Sequence, residues 1–428
     1  MPENKIWVRR ENPQDAKELL PFFVPKGKLR QLWLTFFASE VCLPGNYKGK
    51  VVITAQNTLP QEIELEVKVL PIKLLPPLLD YAIYYRGKLK EVSYSPEIGS
   101  EWKTKKQMEA ELQNMKSHGI DNPTVYQPFV QRENGSYGLH LLREVIEIRK
   151  KIGITGKPLL YLGLGTGAPQ QSEELEVLKK KVKSLITFIK KEGISDIYIY
   201  GIDEASGEQL KSERLAFKAV HEAGGKVFVA CGSGFVDLVG DLLDLPIYNG
   251  IPPRSTIEKV HRFGHRIWNY GNPQCGVEEP LTYRRNYGLL LWQKGLDGTC
   301  DYAYQHAFGD IWDDFDHPKY RDHVMAYPTI DGVIPTIQWE GFREGVDDIR
   351  YLTTLIKIIH SSQTAINKPC YKIEVKEAKE FLKKIKALNL NNLSANDFQE
   401  IRWKIAQKII ELQKILENRI RNKFLCEK

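Results

Sequence analysis

The sequence predicts an α/β protein: a (β/α)8 TIM-type barrel with a small N-terminal β-sandwich-like domain and C-terminal helices. Three observations carry this. Short apolar strands alternate with amphipathic helices about eight times between Asp80 and Tyr351, and strand–helix alternation implies a parallel sheet. That span is close to the ~250 residues such a barrel needs, whereas a doubly wound open sheet uses fewer strands. The chain before Asp80 alternates with a period of two, and the chain after Tyr351 shows helical spacing.

In the first segment, Ile63, Leu65, Val67 and Val69 alternate with Glu62, Glu64, Glu66 and Lys68, which predicts a strand with one wet face over 61–69. Leu32–Phe37 and Lys50–Thr54 read as further strands, with Leu43-Pro44-Gly45-Asn46 as a turn between them. Pro71, Pro76 and Pro77 mark a linker, so residues 1–75 are expected to form a small antiparallel β domain.

Residues 80–351 are expected to form the catalytic barrel. Its strands fall at Tyr81–Tyr85, Thr124–Gln127, Leu159–Leu162, Ile197–Tyr200, Val227–Ala230, Leu245–Tyr248, Arg266–Tyr270 and Gly298–Tyr304. Helices are expected over Thr104–Ser117, Leu141–Lys151, Glu173–Lys191 and Glu208–His221. In residues 352–428, Ile401, Ile405, Ile409, Leu412, Leu416 and Ile420 form one apolar stripe of a helix packed on the barrel, with Ser394 before it as a cap.

Composition narrows the function. The 428 residues are 42% hydrophobic and 27% charged, which excludes a disordered or collagen-like chain. The net charge of +7 is spread along the chain among acidic clusters such as Asp310–Asp316, not gathered as a nucleic-acid binder gathers it. Six scattered cysteines with no Cys-x-x-Cys suit neither a zinc site nor a disulfide framework. No apolar run approaches a membrane span, and Met1–Glu11 lacks a signal-peptide core. The expected location is therefore cytoplasmic for the chain as it stands, or secreted or periplasmic if a leader precedes it.

In a barrel, chemistry sits at the carboxyl ends of the strands. The fourth strand runs Ile197-Tyr198-Ile199-Tyr200 into Gly201-Ile202-Asp203-Glu204, which stands two carboxylates at the mouth. Close carboxylates resist joint ionisation, so one stays protonated and can donate to a leaving oxygen while the other steadies positive charge. That is the division of labour of glycoside hydrolysis. Adjacent residues on one strand end do not straddle a sugar ring as an ordinary retaining pair does, ~5 Å apart. They suit a substrate-assisted route, in which the sugar's own 2-acetamido oxygen attacks the anomeric carbon.

The chain resembles glycoside hydrolase family 123 and its uncharacterised relatives. The resemblance rests on Leu43–Val51, on Tyr200-Gly201-Ile202-Asp203-Glu204, on Arg285–Trp292 with Gly295–Gly298, on Asp331–Thr336 and on Arg343–Asp348, in that order along the chain. It implies a retaining β-N-acetylgalactosaminidase in which Asp203 orients and stabilises the acetamido group and Glu204 is the general acid/base. The chain departs from the family in its short β domain and in Tyr302 and Tyr304, where relatives carry a Trp.

Sugar rings present apolar faces that stack on aromatic walls. Tyr270, Trp312 and Tyr304 are the wall candidates, although strand alternation puts about half of such aromatics in the core. Asn249 is a hydroxyl-binding candidate or a turn residue, as is Asn269. Arg285, in the family-like segment, completes the expected substrate-binding set. No metal and no organic cofactor is implied: His261 and His265 read as ordinary residues of a helix-to-strand turn. Gly163-Leu164-Gly165-Thr166-Gly167 lacks dinucleotide spacing and reads as a barrel loop. The expected partner is a glycan or glycoconjugate, with no nucleic acid. Two alternatives stay open. One is a nucleophile such as Glu278 or Glu279 acting on a sugar without an acetamido group; the other is a non-catalytic sugar-binding barrel.

Overall fold

A computed structural model describes residues 18–39, 41–91, 97–131, 137–276, 278–365 and 372–426. The segment Met1–Glu11, Cys370 and the side chains of Ile420 and Cys426 lie outside the described residues. The chain divides into two compact units. One holds residues 1–20, 77–349 and 389–394; the other holds 21–76, 350–388 and 395–428.

The first unit is built on a seven-stranded parallel sheet. Its strands are β3 (Asp80–Ile83), β4 (Leu159–Gly165), β5 (Ile197–Tyr200), β6 (Lys226–Cys231), β7 (Leu245–Asn249), β8 (Trp268–Tyr270) and β9 (Gly298–Asp301), in the spatial order β3-β9-β8-β7-β6-β5-β4. The edges β3 and β4 are both bonded to residues 121–125. Thr124 N–H donates to Ile83 O at 3.0 Å on one side, and Val125 N–H to Leu160 O at 2.9 Å on the other. Val125 also bridges Tyr161 in parallel. The sheet is thus curled and TIM-barrel-like; seven of the eight expected strands lie in it, and the eighth, Thr124–Gln127, is reduced to an isolated bridge between its edges. Because every pairing in it is parallel, the carboxyl ends of the strands open on one side.

Helices follow the strands as the patterning requires. In α1 (Lys105–Ser117), Thr104 and Gln107 form a reciprocal capping box that satisfies two otherwise orphaned N–H groups. Further along the chain, α2 (His140–Ile152) ends at Gly153 in the left-handed conformation that glycine adopts without penalty. Leu178, Val182, Leu185 and Ile189 form the buried stripe of α3 (Ser172–Lys191).

The single helix expected over Glu208–His221 is two: α4 (Gly207–Ser212) and α5 (Arg214–Glu222). Ser212 Oγ donates to the Gln209 carbonyl at 2.7 Å, and Glu213 N–H bonds Leu210 O, one residue nearer than an α-helix needs. The break turns the Glu213 side chain fully inward. Later in the unit come α6 (Phe235–Val239), α7 (Arg254–Arg262), α8 (Pro280–Asn286), α9 (Leu289–Lys294) and the start of α10 (Ile337–Ala365). Arg343 pairs with Glu340, and Asp348 takes two bonds from Arg284 at 2.7 and 3.1 Å. The family-like 343–348 segment therefore pins α8 to α10.

In the second unit, β1 (Gly45–Ile53) and β2 (Gln61–Val69) pair antiparallel from Gly45↔Val69 to Ile53↔Gln61. The strand over 61–69 lies where the alternation puts it. Two expectations are corrected. Leu32–Phe37 forms no strand and stands exposed, since alternation supplies a face but not a ladder partner. Gly45 and Asn46 open β1, and the reversal falls at 54–60, where Asn57 takes φ 61° as asparagine tolerates. The described residues before Asp80 thus hold one strand pair, not a sandwich. In the same unit α11 (Lys372–Ala387) contacts α12 (Ala395–Cys426). Ile401, Ile405, Ile409 and Leu412 are the buried stripe of α12, which starts directly after Ser394. No helix among the described residues is long and apolar enough to cross a membrane.

Candidate active site

The carboxylate pair stands where β5 leaves the sheet. Tyr200 is the last residue of β5, and Gly201 N–H still bonds Phe228 O of β6 at 3.0 Å. The chain then lifts over β6. Glu204 N–H donates to Ala230 O at 3.1 Å, and Glu204 itself takes φ 51°, in the left-handed region. That conformation costs a non-glycine residue about 1–2 kcal/mol. Both carboxylates are exposed at the opening.

Each carboxylate has its own tyrosine. Tyr200 Oη donates to Asp203 Oδ1 at 2.6 Å, and Tyr270 Oη, from the end of β8, donates to Glu204 Oε1. Tyr200 is fixed in turn by the Tyr84 hydroxyl at 3.0 Å and by Ala230 N–H at 3.3 Å. Beside Tyr84, at a ring distance of 5.5 Å, Tyr302 accepts from Arg86 Nη1 at 3.2 Å and pairs with His306 Nδ1 at 2.8 Å.

Partial enclosure pushes the Asp203 pKa up and the neighbouring Glu204 charge adds to this, while the Tyr200 hydrogen bond opposes it. Burial raises the phenol pKa of Tyr126, Tyr200, Tyr270 and Tyr302, and the Asp203 charge raises each further. All four therefore stay protonated at neutral pH, and Tyr200 and Tyr270 donate to the two carboxylates. Tyr270→Phe is expected to lower kcat by about tenfold or more, since a hydrogen bond to a charged group is worth about 1.5–3 kcal/mol. Steady-state kinetics of the purified variant would check this, and an unchanged kcat would remove Tyr270 from the site.

The structure sorts the remaining expected residues. Tyr270 joins the pair directly. Asn249 ends β7 in register with Tyr270, exposed, with its Oδ1 close against Gly271. Tyr304 does not line the opening: it is fully buried, edge-on to Tyr85 and Trp339, and its hydroxyl donates to Asn114 Oδ1 at 3.1 Å. Residues 302 and 304 differ in role, Tyr302 being the one tied to Tyr84 and Arg86.

Trp312 is half-buried on Tyr327, at 4.9 Å, and donates Nε1–H to Pro328 O. Arg285 lies in the last turn of α8, with Nε on Asn286 Oδ1 at 2.8 Å. Neither has a described contact with the pair. Asn269 is fully buried. The Asp310–Asp316 carboxylates serve their own loop: Asp310 accepts from Trp312 N–H, Asp313 from Phe315 N–H, and Asp314 from Tyr327 Oη.

His261 bonds Asp297, and His265 bonds the Gly240 carbonyl. Glu278 faces Arg321, and Glu279 accepts from Thr282 at the start of α8. In the loop after β4, a side chain at Gly163 would meet Gln127 O, so the glycine there permits a close backbone approach. Arg86, Tyr200 and Tyr302 were not singled out as site residues from sequence, whereas Tyr84 was one of the strand-end aromatics. The available signal was their place at strand ends.

A TIM-barrel-like sheet carrying a paired carboxylate centre at its carboxyl end has the makeup of a glycoside hydrolase. Residues 164–355 match the family described as Glycoside hydrolase 123, catalytic domain. This match, over less than half of the chain, supports membership of glycoside hydrolase family 123, the family the sequence resembles, and supports a glycoside hydrolase. The matched stretch contains Asp203, Glu204 and Tyr270.

No curated protein matches the chain. Among solved structures, the endo-β-1,4-mannanase from Thermotoga petrophila is 14% identical with a TM-score of 0.38, covering 64% of this chain and 77% of that one. The β-glycosidase from Thermosphaera aggregans is 9% identical with a TM-score of 0.38, covering 65% and 97%. A dihydrodipicolinate synthase from Bacillus anthracis is 11% identical with a TM-score of 0.33, covering 78% and 99%. Such low scores give these likenesses no bearing on activity.

Proposed function

We propose that the protein is a retaining glycosidase that removes a terminal β-linked N-acetylhexosamine, with N-acetylgalactosamine the favoured sugar, through an oxazolinium intermediate. The observation that carries the proposal is the adjacency of Asp203 and Glu204 on one strand end, each held by a separate phenol. Asp203 accepts from the acetamido N–H and steadies the positive charge that grows as the acetamido oxygen bonds the anomeric carbon. Glu204 gives its proton to the leaving oxygen, then takes one from the water that opens the oxazolinium ring. Two inversions, first by the acetamido oxygen on the face opposite the leaving group and then by water on the face the leaving group vacated, return the original anomer. The preference for the galacto epimer rests on the family resemblance alone.

The test is hydrolysis of an aryl β-N-acetylgalactosaminide beside the matching aryl β-galactoside at equal enzyme. Turnover confined to the acetamido substrate supports the proposal. Turnover of the plain galactoside rejects substrate assistance, because that sugar carries no internal nucleophile.

A further inference from the structure

We infer that Glu213 is a positioning residue that sets the backbone of the Asp203–Glu204 segment through the Ile202 amide. This deepens the function proposed above and rests on it for its kinetic consequence. Glu213 sits in the break between α4 and α5 with no exposed surface. Its Oε2 accepts from Ile202 N–H at 2.8 Å, the amide immediately before Asp203. The same oxygen accepts from Thr166 Oγ1 at 3.1 Å in the loop after β4.

Thr166 closes the arrangement, since its own N–H donates to Tyr200 O at 2.9 Å. One carboxylate oxygen thus ties two neighbouring strand-end loops together on either side of Tyr200. Gly201 makes room for it: a Cβ there would stand 3.1 Å from Glu213 Oε2 and 3.0 Å from Val229 Cβ.

The role is that of an acceptor. The described bonds of Glu213 run to the Ile202 amide and the Thr166 hydroxyl, not to either carboxylate of the pair. Burial pushes its own carboxyl up to about 7, and the neutral form still offers a carbonyl oxygen to Ile202. Its Oε1 has no partner, so an amide nitrogen in that place breaks no existing bond.

Three variants test this. Glu213→Gln keeps the acceptor and is expected to retain kcat within about threefold. Glu213→Leu removes the acceptor and is expected to lose about tenfold or more in kcat with KM within about twofold, since both the Ile202 and the Thr166 bonds are lost. Thr166→Val removes only the brace and is expected to lose about threefold to tenfold, so the proposal stays testable should Glu213→Leu not fold.

Hydrogen exchange over residues 200–206 reads the pin without any substrate. Exchange there should rise in Glu213→Leu and Thr166→Val, while β6 and β7 keep their protection. Wild-type exchange and wild-type kcat in Glu213→Leu and Thr166→Val would overturn the inference. A Gln variant as damaged as the Leu variant would also overturn it, because charge would then be the active property. A wild-type enzyme silent on acetamido sugars would reject the proposed function instead, with the exchange result still deciding the pin.

Discussion

Glu204→Gln is expected to lose about a hundredfold to ten-thousandfold in kcat on substrates with poor leaving groups, the range that general acid/base catalysis supplies. The loss should shrink on aryl glycosides whose phenolate departs without a proton. Tyr270 donates to Glu204, so glutamine keeps an acceptor for that bond and the change isolates the lost proton. Comparing kcat/KM across a series of leaving groups measures the effect. An equal loss on every leaving group would assign Glu204 to binding rather than to proton transfer.

Asp203→Asn is expected to be nearly as damaging, about a hundredfold to a thousandfold in kcat, and specific to acetamido substrates. The charge proposed to steady the oxazolinium would disappear, whereas Tyr200 keeps an acceptor at 2.6 Å. Side-chain volume hardly changes, so KM should move little. The companion readout is the pH–rate profile: the raised Asp203 pKa belongs to the wild-type acid limb, and that limb should shift in the variant. An Asp203→Asn enzyme with wild-type kcat on the aryl β-N-acetylgalactosaminide would exclude Asp203 from the chemistry.

Seven of the eight strand positions were legible because each centres on a short apolar run, a local signal needing no knowledge of partners, whereas Thr124–Gln127 forms only an isolated bridge. Asp203 and Glu204 were legible for the same reason, since a carboxylate pair that follows Tyr200 after only Gly201 and Ile202 must stand near a strand's carboxyl end. What failed was what depends on pairing or on parity. Leu32–Phe37 has the composition of a strand, but a strand needs a neighbour, and sequence names none. Tyr302 and Tyr304 differ by two residues beyond β9, where strict alternation no longer holds, and only packing tells which one faces Tyr84 and which one faces Trp339. Glu213 sits inside a helical pattern, and its inward turn depends on Ser212 taking a carbonyl from the helix.

The left-handed backbone at Glu204 also bears on descent. A lineage that abandoned hydrolysis while keeping its fold would be free at this position to drift toward Gly, Asn or Asp, the residues for which that conformation is cheap. Drift toward Val, Ile or Thr would be resisted by the backbone even after the chemistry had gone. A glycine or asparagine following the strand-end aspartate in a sister sequence would therefore keep this backbone without the proposed acid, whereas a β-branched residue there would mark a rebuilt loop.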